Sequence, residues 1–361
     1  MDLLNEDILF YNICYEGYHT ANLFSLLCKK FYNLRKEHNG EKRNIKDYFL
    51  INVKKNLDPD VGIYYGGIED FWIDTQTGER EGLYKTYIYD NNKNLYLHER
   101  CFYKNGVFHG QYIKYYKDGK IFDTVMYING LKDGEYIGYW DDGKIALKRY
   151  YVNGKRQGTE TRWNDNGKKY IEMNFKDNEF HGPWTSWYDN CQILESKQYD
   201  NGELCGEYFL YYENGILKEH INYINGYKNG KYMRFFKDGR KDLEESYSNG
   251  NANGEMYWYH ENGNTRAYGS LKNSKFYGKY MEWHENGKKK VECNFVDFTV
   301  RSSSGPYHKR KGTLNGLYME WYENGIKKKE CNYVNGLKVG HYTKWNKYGM
   351  ITNRSILYPQ H

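Results

Sequence analysis

A 24-residue period runs through most of this 361-residue chain and constrains its fold more than any other feature. Most repeats carry a second glycine nine residues after the first, preceded by Asp or Asn. The opening glycines are Gly110, Gly134, Gly158, Gly182, Gly206, Gly230, Gly254 and Gly278, and the count resumes at Gly316 and Gly340. A fixed period of this length is typical of a repeat array, in which each repeat stacks on its neighbours. The pattern favours an extended surface over a single catalytic pocket.

Each repeat is predicted to be a β-hairpin. Asp-Gly or Asn-Gly pairs such as Asp118-Gly119 lie between short runs rich in Tyr, Trp, Phe and Ile, as half-buried strands require. These pairs tolerate the positive φ angles of a type I′ turn, so we expect that turn at Asp118-Gly119 and its equivalents. A second Asn-Gly pair, as at Asn129-Gly130, is expected to turn the chain into the next hairpin.

Alternation along the strands predicts two faces. Counting the opening glycine as position zero, positions three and five are apolar or aromatic, as in Ile113 and Tyr115, and are predicted to be buried. Position four, for example Lys114, is predicted to face water. Position seventeen, for example Tyr127, is aromatic in most repeats and is expected to pack in a ladder of rings.

Position two supplies a second row of aromatic residues on the face opposite positions three and five. With basic residues between them, these rings are a candidate surface for stacking on bases or resting on lipid headgroups. More often, such a face is closed by packing between hairpins or forms a groove that binds a protein. The residues are Tyr112, Tyr136, Trp184, Tyr208, Tyr232, Tyr280 and Tyr318.

The array resembles the MORN repeat, in the variant form found in long arrays of bacterial and giant-virus proteins. The resemblance covers about residues 62–358, with roughly ten repeats, although Cys191 and Ser274 replace turn glycines. It implies a curved, elongated β array of about ten stacked hairpins. Together with the helical periodicity of the first sixty residues, described below, the expected fold is mainly β, with the array preceded by a small α-helical N-terminal domain. The expected domains are residues 1–60 and 61–358, with a basic, Ser-containing insertion near 298–311 that is expected to be a mobile surface loop.

The first sixty residues lack the repeat and have helical periodicity. Leu4, Ile8, Leu9 and Ile13 form one apolar stripe, and Leu23, Leu26, Leu27, Phe31 and Leu34 form another. A third helical segment is predicted near Ile45 to Leu57. Such helices suit either a terminal cap for the array or a docking module.

The N-terminal residues also resemble an F-box. Leu4-Asn5-Glu6-Asp7-Ile8-Leu9 is similar to the opening of that motif, and Leu27-Cys28-Lys29-Lys30-Phe31 to its later part, although Asn5 stands where the family usually has proline. The resemblance implies docking of a Skp1-type adaptor of a ubiquitin ligase. The residues it implicates are Leu4, Ile8, Leu9, Leu23, Leu27 and Phe31.

Composition excludes several classes of protein. No apolar run approaches the ~20 residues that cross a bilayer, and acidic residues at the N-terminus argue against a signal peptide. Seven cysteines without a Cys-x-x-Cys pair suggest free thiols in an intracellular protein, and the low Pro and high Lys, Asn and Tyr content fits a viral protein in host cytoplasm. A net charge of +6 is too diluted over an array to predict nucleic-acid binding.

The sequence offers no catalytic, cofactor or metal motif that we would assign, so we do not expect an enzyme. His260 and His284 both occupy position six, where an aromatic substitute is a better interpretation than a metal site. The leading hypothesis is a scaffold for protein–protein interaction that recruits a Skp1-like adaptor. The alternative is a peripheral protein that binds anionic lipid, and an inhibitor protein is a third class.

Overall fold

A computed structural model describes residues 37–38, 41–42, 49–57, 66–296 and 312–358. The two N-terminal apolar stripes and the insertion near 298–311 lie outside the described residues. The chain divides into two compact units, residues 1–167 and 168–361. The elements of both units are antiparallel β-strands, so the predicted mainly β repeat array is confirmed.

The first unit contains twelve strands among its described residues. They are β1 (Glu37–His38), β2 (Glu41–Lys42), β3 (Leu50–Leu57), β4 (Gly67–Asp74), β5 (Gly82–Tyr89), β6 (Leu95–Lys104), β7 (Val107–Phe108), β8 (Gly110–Tyr115), β9 (Ile121–Ile128), β10 (Leu131–Tyr139), β11 (Ile145–Val152) and β12 (Lys155–Trp163). β1 pairs with β2, and β3 to β12 form an antiparallel meander in chain order. The short β7 and β8 share the same edge of β6.

The described residues of the second unit form sixteen strands. They are β13 (Lys169–Lys176), β14 (Glu179–Trp187), β15 (Ile193–Asp200), β16 (Glu203–Tyr211), β17 (Leu217–Ile224), β18 (Tyr227–Phe235), β19 (Lys241–Ser248), β20 (Asn251–Tyr259), β21 (Thr265–Lys272), β22 (Lys275–Trp283), β23 (Lys289–Val296), β24 (Thr313–Leu314), β25 (Gly316–Trp321), β26 (Lys327–Val334), β27 (Leu337–Trp345) and β28 (Ile351–Leu357). They too form an antiparallel meander of hairpins.

The predicted third helix is wrong in its described part, because Leu50–Leu57 is strand β3. It pairs with β4 without a register break, from Leu50 opposite Asp74 to Leu57 opposite Gly67. A short apolar segment fits both helical and strand periodicity. Leu50–Leu57 is a strand because it pairs with β4 and because Val53 packs against the buried cluster of Phe71, Tyr84 and Cys101. The sheet therefore begins before residue 60.

The hairpin turns at the Asp-Gly pairs differ from the predicted type I′. Gly119 has φ 85°, but Asp118 does not have a positive φ. Gly119 N–H donates to Tyr116 O, and Tyr116 N–H donates to Lys120 O, which closes a three-residue loop. This is a type I turn followed by a left-handed glycine. The Asp118 carboxylate accepts the Lys120 N–H at 3.1 Å and so favours this geometry.

The type I′ turns lie instead at the second Asn-Gly pair of each repeat. Asn129 and Gly130 have φ 49° and 82°, and Ile128 pairs with Leu131 across this two-residue loop. Val296 pairs with Thr313 in the same way on either side of the insertion. The insertion therefore takes the place of one type I′ turn, and the repeat register resumes after it.

The buried face is the opposite of the one predicted. We call the side formed by positions two, four, thirteen, fifteen and seventeen the inner face, and the other side the outer face. Met256 at position two is 0% exposed, and Ile221 at position fifteen is 1% exposed. Ile113 at position three is buried as predicted, but the other residues at positions three and five, including Tyr115, are half-buried. Both faces carry aromatic residues, so alternation alone could not tell which face would be covered.

Ring pairs across each hairpin hold the inner face together. The position-two ring meets the position-seventeen ring of the same repeat edge-on, as in Tyr232 and Tyr247, whose centroids are 6.0 Å apart. The same pair recurs as Tyr112–Tyr127, Tyr136–Tyr151, Tyr208–Tyr223, Tyr280–Phe295 and Tyr318–Tyr333. Such pairs contribute about 0.5–1.5 kcal/mol each beyond area burial. The predicted ring ladder at position seventeen is present, but its partner is position two.

Candidate functional site

The predicted aromatic surface is part of the inner face. Tyr232 and Tyr280 are buried at 6% and 5% exposure, which corrects their assignment to an open surface. The others, Tyr112, Tyr136, Trp184, Tyr208 and Tyr318, are half-buried. The predicted adaptor-docking residues, Leu4, Ile8, Leu9, Leu23, Leu27 and Phe31, lie outside the described residues.

Carboxylates satisfy the tyrosine hydroxyls of the inner face. The Tyr136 hydroxyl donates to Asp123 Oδ2 at 3.0 Å, the Tyr84 hydroxyl donates to Glu69 at 2.7 Å, and the Tyr112 hydroxyl donates to Glu99. Burial, with the neighbouring carboxylate, raises the pKa of Tyr136. Burial also raises the pKa of Asp123 against the effect of the Tyr136 hydrogen bond. Each of these hydrogen bonds connects two neighbouring strands of the sheet.

Basic side chains lie over the same rings. Lys197 Nζ is 3.9 Å from the Trp184 ring centroid, and Lys228 Nζ is 4.7 Å from that of Tyr232. A cation over an aromatic face gains about 0.5–2 kcal/mol. The combination of aromatic and basic residues seen in the sequence is therefore real, but it lies within the inner face.

The histidines at position six act as aromatic substitutes. His260 Nε2 lies 3.0 Å from Trp283 O, and His284 Nε2 lies 3.1 Å from Trp321 O. The Tyr188 hydroxyl makes the same contact to Tyr211 O at 2.8 Å. Each of these side chains ties one repeat to the next, and no group of His, Cys, Asp and Glu in the described part of the chain has the arrangement of a metal site.

The cysteines of the described residues are free thiols. Cys101 and Cys293 are buried, and burial raises the pKa of each to about 12. Thiols held in the protonated form are poor nucleophiles, so these side chains pack as small apolar residues.

A depression of about 570 Å³ lies at the turn edge of the second unit. It is lined by Tyr188, Asn190, Tyr212, Glu213, Asn214 and Lys237. The amide groups of Asn190 and Asn214 already donate to the backbone carbonyls of Glu213 and Lys237, at 2.7 and 3.0 Å. These polar groups connect successive turns.

The feature that stands out is an apolar patch on the outer face of the first unit. Nine large apolar side chains on β6, β7, β9, β10 and β11 are each 38% to 49% exposed. We call this set the apolar face: Phe102, Val107, Ile121, Met126, Ile128, Leu131, Ile145, Tyr150 and Val152. Contiguous exposed apolar surface of this kind marks interaction sites in soluble proteins.

The hairpin register brings these residues together. Ile128 lies directly opposite Leu131, and Met126 lies one alternation away on the same face of β9. A Cβ built at Gly134 would lie 3.9 Å from Met126 Cβ, so this glycine leaves the methionine uncovered on that side. The patch is continuous across neighbouring strands.

The outer face of the second unit differs mainly at position sixteen. Exposed apolar pairs recur there at positions eighteen and twenty-one, as in Ile224–Tyr227 and Val334–Leu337, and Ile356 at position sixteen of the last repeat is also exposed. Position sixteen, which is Phe102, Met126 and Tyr150 in the first unit, becomes Asn174, Gln198, Asn222, Ser246, Ser270 and Asn294. Ion pairs between positions eleven and fourteen cover this face, including Lys169–Glu172 at 3.0 Å and Lys289–Glu292 at 2.9 Å. The apolar face was not predicted from the sequence. The prediction relied on what the repeats share and not on how the residue at one repeat position changes from one repeat to the next.

No described helix has the length and apolar character that would be needed to cross a membrane. No curated protein matches the chain. A chain in the structure of the Photorhabdus luminescens Tc holotoxin pore is similar at 9% identity and a TM-score of 0.13, over 90% of this chain and 21% of that one. So small a structural overlap carries no argument about fold or function.

A family model described as the MORN repeat variant matches seven segments distributed over both units. The matched segments are residues 108–129, 132–153, 156–177, 204–225, 252–273, 276–297 and 314–335. Each begins two residues before an opening glycine. MORN repeats suggest a non-enzymatic scaffold for protein or membrane interaction. The chain is thus an array of β-hairpins, seven of which match the MORN repeat variant.

Proposed function

We propose that this chain is a non-enzymatic scaffold for protein–protein interaction and that the apolar face of its first unit is the binding surface. The observation that supports this is the concentration of nine exposed apolar side chains on adjacent strands. Burying apolar area contributes about 25 cal/mol per Å², so covering this face would stabilise a complex considerably. In the second unit, position sixteen is Asn, Gln or Ser from Asn174 to Asn332, so exposed apolar pairs such as Ile224–Tyr227 lack this neighbouring apolar row.

The charges around the apolar face favour a protein partner over an anionic membrane. Lys148 lies 2.6 Å from Glu135, Lys120 lies 2.9 Å from Asp118, and Lys117 lies 2.8 Å from Asp90. Membrane-binding basic clusters need unneutralised charge, about 1 kcal/mol per basic residue. The rings considered for lipid contact belong to the inner face, which weakens that alternative further.

A photoreactive amino acid at Leu131, with Leu337 as its matched control, tests the proposal in eukaryotic cells. The two leucines occupy the same repeat position and are 49% and 54% exposed, but only Leu131 lies in the apolar face. We expect cross-linked protein from position 131 and none from 337. Equal yields at both positions would contradict the proposal, as would co-sedimentation with anionic vesicles that is lost in Leu131→Asp.

A more specific form of this proposal is that the scaffold acts as an adaptor in a ubiquitin ligase. It is supported only by the F-box-like residues Leu4, Ile8, Leu9, Leu23, Leu27 and Phe31. We expect the full chain to capture Skp1 from a eukaryotic lysate, and we expect Leu9→Asp with Phe31→Asp to abolish capture. If Skp1 is absent from the wild-type sample, the adaptor role is wrong, whereas the scaffold role is unaffected.

A further inference from the structure

We infer that the apolar face is covered by the same face of a second copy of this chain, so that the scaffold is a homodimer. This inference rests on the proposed function, because it assigns the partner that the apolar face binds. Three properties of the face support it: its regular rows of side chains, its area and its balance of charge.

A β-sheet face presents rows of side chains at regular spacing, and the surface that fits it best is another sheet face. Two sheets pack about 10 Å apart with their rows interdigitated. The apolar face has rows of this kind: Phe102, Met126 and Tyr150 at one repeat position, and Ile128 and Val152 at another. Two copies related by a twofold axis would place equivalent rows against one another.

The area of the face suits a stable dimer. At the observed exposures, nine large apolar side chains present on the order of 700 Å², close to the ~800 Å² per partner of a standard stable interface. The largest apolar patch on a typical monomer is about 300–600 Å². The exposed area of these residues therefore approaches that of a standard interface.

The charge on the face is balanced within each copy. Lys148 and Glu135 lie among the apolar residues on the outer face, with 2.6 Å between Nζ and Oε1. A partner of opposite net charge is not required, because the pair presents one cation and one anion. In a twofold arrangement each lysine can approach a glutamate of the other copy, so the face is complementary to itself.

Light scattering after size exclusion, on the full chain over a wide concentration range, tests this inference. We expect a mass of twice 43.4 kDa. Ile128→Asp is expected to raise the dissociation constant by about a hundredfold or more, because it places a charge in an apolar contact. Ile224→Asp is the matched control, because Ile224 has the same repeat position and similar exposure but lies in the second unit. Unchanged circular dichroism would show that both variants fold.

Amine cross-linking of a mixture of ¹⁴N- and ¹⁵N-labelled chains identifies the contact. Mixed-isotope links among Lys104, Lys148 and Lys155, which lie on or beside the face, would support the dimer. Single-isotope links from these lysines to Lys29, Lys30 or Lys36 would overturn it, because the N-terminal segment of the same chain would then be the occupant. A dimer that resists Ile128→Asp would also overturn it.

The remaining outcomes separate this inference from the proposed function. A monomer at all concentrations overturns the homodimer. If that monomer still cross-links another protein from position 131, the scaffold proposal stands with a different partner. If position 131 captures nothing, both are wrong.

Discussion

At the residue scale, left-handed backbone positions form the turns, and a few of them hold residues that disfavour this conformation, among them Cys191 and Ser274. Cys191 has φ 68° at a position where other repeats have glycine, and its side chain is exposed. A left-handed conformation costs a non-glycine residue about 1–2 kcal/mol. We expect Cys191→Gly to raise the free energy of unfolding by about 1 kcal/mol in urea titrations. Gly143→Ala, at the equivalent turn with φ 87° and open space around it, should lower it by a similar amount.

A single carboxylate shows how a loop depends on pH. Asp90 accepts hydrogen bonds from the backbone N–H groups of Asn92 and Asn94 and pairs with Lys117 at 2.8 Å. The Lys117 ammonium, followed by these N–H groups, lowers the pKa of Asp90 from 3.8 to about 2. Because the folded pKa is the lower one, the stabilisation is complete above pH 3.8 and is lost as the pH falls towards 2. NMR titration of the Asp90 carboxyl should show this pKa, and Lys117→Ala should raise it.

At the scale of elements, packing across strands decides what each position tolerates. Gly269 on β21 has an ordinary strand conformation, so alanine would normally stabilise it by about 0.5–1 kcal/mol. A Cβ there would lie 2.9 Å from Tyr280 Cδ2 and 3.3 Å from the Phe276 ring. Moving two buried rings costs more, so we expect Gly269→Ala to destabilise the protein by about 1–3 kcal/mol. A higher melting temperature for this variant would refute the packing argument.

A buried carboxylate connects two neighbouring strands of the first unit, β11 and β12. Glu160 on β12 is 0% exposed, and its Oε1 accepts from Arg162 Nε at 2.8 Å, while Arg149 and Arg156 lie 3.7 and 3.9 Å from Oε2. Removing one partner of a buried pair is strongly destabilising, here about 2–4 kcal/mol because the arginines are partly solvated. Urea titration of Glu160→Gln should show this loss. Glu135→Gln, which breaks an exposed pair, should change stability by less than about 1 kcal/mol.

At the scale of the whole molecule, the response of association to salt distinguishes an apolar contact from one driven by charge. Contacts through the apolar face should persist or strengthen as sodium sulfate is raised, because such salts favour apolar burial. Binding driven by the net charge of +6 would instead weaken, since exposed charges are screened. Sedimentation equilibrium at several sulfate concentrations distinguishes the two, and dissociation at high salt would contradict an apolar contact.

Much of the fold could be predicted from local signals. The 24-residue glycine period, the Asn129-Gly130 turn and the rings at position seventeen each appear in the structure where the sequence places them. The Asp118-Gly119 turn was placed correctly, but its type was wrong, because the Asp118 side chain and a three-residue loop favour type I geometry. The helix predicted near Ile45 to Leu57 is wrong over Leu50–Leu57, because a short apolar run contains no information about the strand with which it will pair.

By itself, the sequence determined that the chain forms repeated antiparallel hairpins and where they turn, because glycine conformation and strand alternation are local properties. Only the tertiary structure decided which face is covered. Both faces carry aromatic residues, and burial of Tyr232 and Tyr280 depends on rings from the neighbouring strand. The candidate site followed from that choice: the apolar side chains around Met126 and Leu131 are exposed because the opposite face is the one that packs.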